Sequence, residues 1–585
     1  LFQGLVTDKM NVALYIPQKE VSAWVTETDP KQARAWLAAL PLADGGDSAR
    51  DIYQALYTLN RLELAAHTRL ELMALYRAPV ATVSTVLHSQ FSALGFPLAP
   101  GMRQLAEFIR QLQMEMAIGY KCAIQDLHGA RLSWGKKHQL ALASVRAMDY
   151  LGEVLLRSYQ AYMPPPSGVW TEIHTLFRYA EEQDSLEQPV EISDDGGAGT
   201  TTISQRYRQI LLLALCNPYQ LPHNECNYVN AFLAAWADKA LISDQLNIAD
   251  PLGHFLINLT TDAPPAAMVQ QQALKASPEL RVLNTIEVAR IVHGFIKRLE
   301  QGESVKLLNL GGEITDSAGR EMLRRMIKFW GLTPQRKFAR TKTRGHMSLC
   351  TGINALHFFS SGRKPFTPPL DEVRQEPTSA PATTRPAAGA EKTDTADTEV
   401  IDVALLASKA ELPKWLSGTK LPTPESFPVD RWRLQDESAR GLLLMREGEM
   451  AGSVRVGDVL GMQGGHDTSA WHIGVIRWIK SPEPRRVEMG VERLAPKVTP
   501  VAVRSADAAT PTARYMQALL LPAMPVLQRP ATLLIPRGLY DAGRDLELAV
   551  GGEAPRAVRV LKLLERTASF DLIVFAEVQA RAEGH

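Results

Sequence analysis

The chain has 585 residues, of which 45% are hydrophobic and 22% charged, and a net charge of +1. That length is too great for one hydrophobic core, so roughly two to four domains are expected. The near-zero net charge excludes a broadly basic surface of the kind that coats nucleic acid or anionic membranes, so any anion site must come from local clustering.

In chain order, the opening "LFQG" is similar to the remnant of a viral 3C protease site used in expression. This would place the native start at Met10 and sets residues 1–9 aside. From Ser22 to Trp330 the sequence carries helical periodicity with little interruption. In "SARDIYQALYTLNRLELAAHTRLELMALYRAPV" the apolar residues Ile52, Leu56, Leu59, Leu62 and Leu64 recur at helical spacing, Ser48 or Asp51 is placed to cap the start, and Pro79 is expected to end it. Similar stretches follow through "GMRQLAEFIRQLQMEMAIGYKCAIQDL" to "SAGREMLRRMIKFWGL", predicting an all-α domain over residues 10–333. The stripes carrying Met114, Met116 and Met148 read as core. No clean 34-residue repeat emerges. No apolar run of about 18 residues is found, which predicts no membrane insertion.

The pattern changes after Trp330. Residues 334–366 hold the basic stretch "RKFARTKTR" and then "GHMSLCTGINALHFFSSG", read as a first strand and its continuation. Residues 367–427 are read as a disordered linker, because the Pro/Ala/Thr-rich stretch 367–399 has scarcely any large apolar side chain and burial there cannot offset the entropy of ordering. Strand signals dominate thereafter: "RGLLLMR", "GSVRVGDVLGMQ", "AWHIGVIRWIK" and "RRVEMGVERLA" over residues 428–500, then a second β region over 501–585 that is either a barrel of its own or an extension of the first. The fold class is therefore multidomain, α first and β last.

Three features of this second half fall in a fixed order. Arg336 and Arg340 stand four apart, with Arg344 extending the series; Asp436, Ser438 and Gly441 form a D-x-S-x-x-G turn; Gly474, Arg477 and Gly490-Val491-Glu492 lie on strand-like stretches. This ordered set resembles the PilZ domain, a bacterial receptor module for cyclic di-GMP. The resemblance implies an antiparallel β-barrel over residues 334–366 and 428–497, with Arg336, Arg340, Arg344, Asp436, Ser438, Gly441 and Arg477 as ligand-binding residues. Chemically the set suits that ligand. Arginine presents a planar fork of donors for phosphate oxygens and for the O6/N7 edge of guanine, and a carboxylate accepts from guanine N1–H and N2–H. Arg340 and Asp436 are 96 positions apart, and the linker accounts for much of that gap because loop closure grows only logarithmically in cost. The pairs Arg336/Arg340 and Arg340/Arg344 both fit the spacing; Phe338, as an anchor, favours the first.

Other candidates carry less. Cys216, His223 and Cys226 fit no common zinc spacing and read as core thiols and a loop histidine. With Cys122 and Cys350 they make four reduced thiols, expected of a cytoplasmic protein. The glycines of "SDDGGAGTTT" lack the lysine of a phosphate loop, and "NLGGEITDSAG" lacks a dinucleotide fingerprint. The expected function is a bacterial, non-enzymatic receptor without cofactor, taking cyclic di-GMP on the barrel and docking a protein partner through the helical domain. An adaptor whose barrel no longer binds nucleotide is the first alternative. A single-stranded RNA binder is the second, against which the near-neutral charge and sparse basic–aromatic interleaving weigh.

Overall fold

The computed structural model describes residues 14–20, 26–128, 134–194, 197–268, 277–310, 314–331, 339–369, 427–464, 467–506, 514–525, 529–551 and 553–578. Residues 1–9, Arg336 and nearly all of the 367–427 linker lie outside the described residues. The chain divides into two units, the first comprising 1–352, 429–497 and 564–571 and the second 353–428, 498–563 and 572–585.

The first unit opens with helices α1 (Pro30–Ala39), α2 (Gly46–Arg61), α3 (Ala66–Ser89), α4 (Pro100–Leu127), α5 (Trp134–Gln160) and α6 (Val169–Glu182). α4 is central. Its Ile109, Leu112, Met116, Tyr120, Ala123 and Ile124 recur every three or four residues and are all buried. Met148 is buried as well, and Met114 packs against the same core. Caps fix the entries locally: the Asp29 carboxylate accepts from the amides of Lys31 and Gln32 at 3.0 and 3.1 Å ahead of α1. The long helix read through Leu62 is two helices, broken between Arg61 and Ala66. Pro79, expected as a stop, lies inside α3, where packing of Tyr76, Val80 and Val83 outweighs its missing N–H. Against the expected absence of a membrane span, the described residues offer one weak candidate. α3 is long and apolar enough to cross a bilayer, although half of its apolar window is buried in this core.

Small sheets interrupt the helices. β1 (Val190–Asp194) and β2 (Gly197–Thr201) form a hairpin before α7 (Ile203–Leu215) and α8 (Glu225–Trp236). β3 (Leu241–Ser243), β4 (His254–Asn258), β5 (Ala266–Ala267) and β6 (Leu280–Asn284) then form an antiparallel sheet in the order β3-β6-β4-β5. Segments of two to five residues are too short for strand alternation to stand out from helical periodicity, so residues 10–333 are helical in bulk but not all α. α9 (Ile286–Glu300) and α10 (Asp316–Gly331) close the region, with Trp330 buried and its indole donating to the Leu212 carbonyl at 3.0 Å.

β7 (Thr341–Thr351) begins the barrel of the first unit. It does not continue as a strand. Gly352, at φ +94°, turns the chain into α11 (Ile353–Ser360), whose buried Ile353, Leu356 and His357 have helical spacing. The chain then returns as β8 (Asp430–Glu437), β9 (Gly441–Glu447), β10 (Val459–Gly464), β11 (Asp467–Lys480) and β12 (Arg486–Ala495). Together with β7 these close in the order β10-β11-β12-β9-β8-β7. Alternate residues such as Trp432 and Leu434, Leu442 and Leu444, and Met489 and Val491 fill the interior. Helices and barrel share one seam. Phe96 and Val454 exchange backbone hydrogen bonds at 2.9 Å, Arg103 donates to the Ser481 carbonyl at 3.0 Å and hydroxyl at 2.9 Å, and the Ser481 amide donates to Tyr162 O at 2.8 Å.

A second barrel is formed by β13 (Thr499–Ser505), β14 (Met516–Leu521), β15 (Thr532–Pro536), β16 (Asp545–Val550), β17 (Arg556–Arg566) and β18 (Phe570–Glu577), which close in the order β13-β14-β15-β18-β17-β16 around Val503, Leu533, Ile535, Leu548 and Ile573; it belongs to the second unit except for residues 564–571. The C-terminal β region is thus a barrel of its own. α11 packs on β13 and β14.

The motif glycines of the first barrel divide by steric need. A Cβ at Gly490 would fall within the Trp478 indole, and one at Gly474 would lie 2.9 Å from Met462 Cε and 3.0 Å from Glu492 O. At Gly441 the nearest atoms would be 3.5 Å away, an ordinary contact. Gly490→Ala is therefore expected to cost about 2 kcal/mol of stability through overpacking, and Gly441→Ala under ~0.5 kcal/mol. Urea denaturation of the two variants side by side checks this; equal midpoints would remove the Trp478 explanation.

Candidate functional site

The D-x-S-x-x-G turn joins β8 to β9 with Ala439 and Arg440 at its tip. The Ser438 amide donates to Gly441 O at 2.8 Å, and the Ser438 hydroxyl accepts from the Gly441 amide at 3.0 Å. Ser438 is thus a turn-former. No described protein atom comes closer than 3.5 Å to where a Cβ at Gly441 would stand.

Antiparallel pairing of β7 with β8 places Lys342 opposite Asp436. This carries Arg340 to the turn, where its Nη1 lies 3.1 and 3.2 Å from the two carboxylate oxygens of Asp436. Two residues 96 positions apart are thereby brought together. Between Lys342 and Gly345 the ladder slips, so that Thr343 and Arg344 oppose Gln435 alone. Such a bulge bends the strand and re-aims its side chains. Arg344 is exposed and, like Lys342, makes no ion pair or hydrogen bond among the described residues.

Arg477 occupies a second bulge, where Ile476 faces Val491 and Trp478 faces Gly490. Its guanidinium is fully engaged: Nε lies 2.7 Å from Glu492, and Nη2 lies 2.9 Å from Glu565, which belongs to the same unit. Burial opposes the Arg477 charge, but the hydrogen-bonded carboxylates of Glu565 and Glu492 outweigh it and hold its pKa above the ordinary arginine value. For Glu492 burial pushes upward, and the guanidinium groups of Arg477 and Arg440 outweigh it, keeping the carboxyl below its usual range. Arg477 is therefore tied by its own chain, unlike Arg344.

Three more residues surround the turn that the sequence reading did not select, Glu437, Arg440 and Arg493. Arg493 bridges Glu437 at 2.9 Å and the Ser438 carbonyl at 3.3 Å, and Arg440 pairs with Glu492 at 2.5 Å. Arg493 directly follows the G-V-E stretch and Arg440 sits inside the turn motif, so adjacency to the motifs was the available signal. Arg340, Lys342, Arg344, Arg440 and Arg493 make the turn a basic cluster within a chain of near-zero net charge. Its exposed arginine pairs open at little cost, since exposed ion pairs contribute roughly 0–1 kcal/mol. The arrangement suits an anion with hydrogen-bonding edges, such as a phosphate ester of guanine.

Comparison with known proteins agrees in domain order. Residues 254–500 match the family model described as "Cyclic-di-GMP receptor FimW, middle PilZ domain". The chain carries a PilZ domain. The matched span starts well before the arginine segment and takes in β4 to α10 as well as the barrel. On either side of the PilZ domain, residues 31–246 match "Cyclic-di-GMP receptor FimW, N-terminal domain" and residues 501–578 match "FimW C-terminal beta-barrel domain". Over 557 residues the chain is 28% identical to the Cyclic-di-GMP receptor FimW of Pseudomonas aeruginosa, covering 91% of this chain and 88% of that one. No solved structure matches it.

Proposed function

We propose that this chain is a cytoplasmic cyclic di-GMP receptor, non-catalytic, whose PilZ barrel takes the ligand at the β8–β9 turn and whose helical region passes the signal to a protein partner. The observation that carries this reading is the Arg340–Asp436 pair, which joins the arginine segment to the D-x-S-x-x-G turn across the linker. Arg340 exchanges Asp436 for the ligand, giving its fork to a phosphate or to the O6/N7 edge of a guanine, while Asp436 is released to accept from guanine N1–H and N2–H. Arg344, and Arg336 ahead of β7, supply further forks. Ser438 and Gly441 hold the turn's shape, and Arg477 braces β11 against β12 through Glu492.

β11 is the route from ligand to partner. It bears Arg477 beside the site and, four residues on, leads to Ser481 at the seam with α4, a span of ~13 Å along an extended chain. A shift of this strand alters what the helical region presents, which is the two-state element that coupling requires.

Isothermal titration of the protein with cyclic di-GMP tests the reading, with GTP as control. Binding at micromolar affinity or tighter is expected, absent with GTP. In Arg340→Ala it should weaken about 30-fold or more, because a charge-assisted hydrogen bond contributes roughly 1.5–3 kcal/mol. No binding by heat or by an optical titration would leave a barrel without its ligand and favour the adaptor.

A further inference from the structure

The outer face of the first barrel carries cations beyond those at the turn. Burial alternates into and along β8: Val429, Arg431 and Arg433 are exposed, while Asp430, Trp432 and Leu434 are buried. Pairing with β7 sets Ser348 beside Arg431 and His346 beside Arg433, and Arg344 and Lys342 lie further along β7 toward the turn. Lys342, Arg344, Arg431 and Arg433 are all exposed, and none of their side chains makes an ion pair or hydrogen bond among the described residues. By contrast Arg440, Arg446, Arg477, Arg486 and Arg493 of the same barrel each hold a carboxylate. The acids nearest to Arg431 and Arg433 are taken. Asp430 is held by Arg446 at 3.1 Å and Glu488 by Arg486 at 2.6 Å, and Glu447, the one acid of β9, stands in register with Arg486. Arg433 itself is opposed by His346 on one side and Met445 on the other.

Four like charges on one small surface repel each other, and no cross-strand carboxylate offsets the cost. An anionic partner would. Of the polyanions, an acidic protein segment fits best. Three of the four cations are arginines, whose fork takes a carboxylate through two parallel hydrogen bonds. Residues two apart on a strand recur at about 7 Å, the period of carboxylates at alternate positions of an extended partner. Trp432 points into the barrel, so these residues offer no tryptophan, tyrosine or phenylalanine on which a nucleic-acid base could stack. Exposed Val429, in line with Arg431 and Arg433, adds an apolar contact of the kind found beside arginine in protein interfaces. One valine is too little to anchor the face in a bilayer.

We infer that the outer face of β7 and β8 is a docking surface for an extended acidic segment of a partner protein. Arg431 and Arg433 are its principal contacts, and Arg344 and Lys342 extend it toward the turn. The surface is additional to the helical region and independent of the cyclic di-GMP reading, since Arg433 stands about 17 Å of extended chain from Ser438.

The probe is a fluorescent dodecapeptide alternating glutamate with serine, titrated into the full chain and followed by anisotropy. Its glutamine–serine counterpart, hexauridylate and phosphatidylserine vesicles are the comparisons. The acidic peptide is expected to bind at least about tenfold more tightly than the glutamine one, and to weaken severalfold between about 50 and 200 mM salt. Arg431→Glu/Arg433→Glu should weaken it about tenfold or more, the scale of charge-assisted contacts. Arg431→Gln/Arg433→Gln, which removes the charges without adding repulsion, should weaken it less. Arg50→Glu/Arg290→Glu, at exposed positions on α2 and α9, makes the same change in net charge and should leave binding within about twofold. The proposal is overturned by no binding at millimolar peptide, by equal binding of the glutamine peptide, or by unchanged binding in Arg431→Glu/Arg433→Glu. It is equally overturned by equal losses in the two reversal pairs, or by hexauridylate or the vesicles displacing the peptide at equal charge concentration.

Discussion

Lowering the pH from 7 to 5 is expected to destabilise the first unit by roughly 3 kcal/mol through two histidines near its seam, beyond what its carboxylates contribute. His88, in the last turn of α3, and His223, before α8, are held neutral. Burial lowers each pKa to about 4, helped at His88 by the positive charge of Arg157 and by His223 itself, and at His223 by Arg455. Among the described residues no anionic group opposes these shifts. Neither His88 Nε2 nor either ring nitrogen of His223 has a hydrogen-bond partner among the described residues. His223 also faces Phe96, 6.3 Å between ring centroids, at the point where that residue pairs with Val454 of the PilZ domain. The sign follows directly. The unfolded chain takes up protons below about pH 6.5 and the folded one only near pH 4, so stability is complete above 6.5 and declines as pH falls between the two values. At pH 5 this amounts to about 2 kcal/mol for His88, and less for the more exposed His223. Unfolding by urea at several pH values checks it, with the His88→Gln/His223→Gln double variant as reference. The double variant should show a clearly shallower pH slope between 7 and 5. Parallel slopes would mean that the histidines do not carry the effect.

The candidate site was selected where residue types fall in the fixed order of a known motif. Arg340 and Asp436 were selected because they match the PilZ pattern, and a β7–β8 ladder brings the two into contact. Gly474 and Gly490 were legible as motif glycines, but their reason lies in packing: Trp478 and Val491 fill the space that a side chain would need. Arg477 was chosen as a ligand contact; it is ion-paired with Glu492, on the paired strand β12, and with Glu565. Glu437, Arg440 and Arg493 were passed over because, as sequence, they are common surface charges; only the hairpin gathers them. In the fold, periodicity found the long helices and missed the short sheets. Pro79 shows the limit of punctuation rules, because tertiary packing carried α3 through it. The strand-to-helix change at Gly352 was hidden by the β-like composition of "GINALHFF".

Arg103→Ala is expected to cost about 2–4 kcal/mol and to uncouple the helices from the PilZ barrel while sparing the ligand site. Arg103 is buried, pairs with Glu107 at 3.0 Å, and donates to the carbonyl and hydroxyl of Ser481. Removing it leaves buried acceptors without a donor at the seam, at roughly 1–3 kcal/mol for each unsatisfied group, in addition to the packing lost with its stem. Arg103→Lys keeps the charge and loses the fork, so an intermediate loss is expected. The helices retain their own hydrophobic cluster, and the barrel's is built mainly from its own strands with Phe96 and Tyr162 added from the helical side, so unfolding should separate into two steps as the seam weakens. Cyclic di-GMP affinity should stay within about threefold of the unmodified protein, since no substituted atom lies at the β8–β9 turn. Ligand-dependent amide exchange protection on α4, expected in the unmodified protein because β11 joins the site to Ser481, should disappear. Retained protection in Arg103→Ala would show that the signal does not travel through this contact, leaving the Phe96–Val454 pairing, the Ser481–Tyr162 hydrogen bond and the Arg455–Ala93 hydrogen bond as routes across the seam.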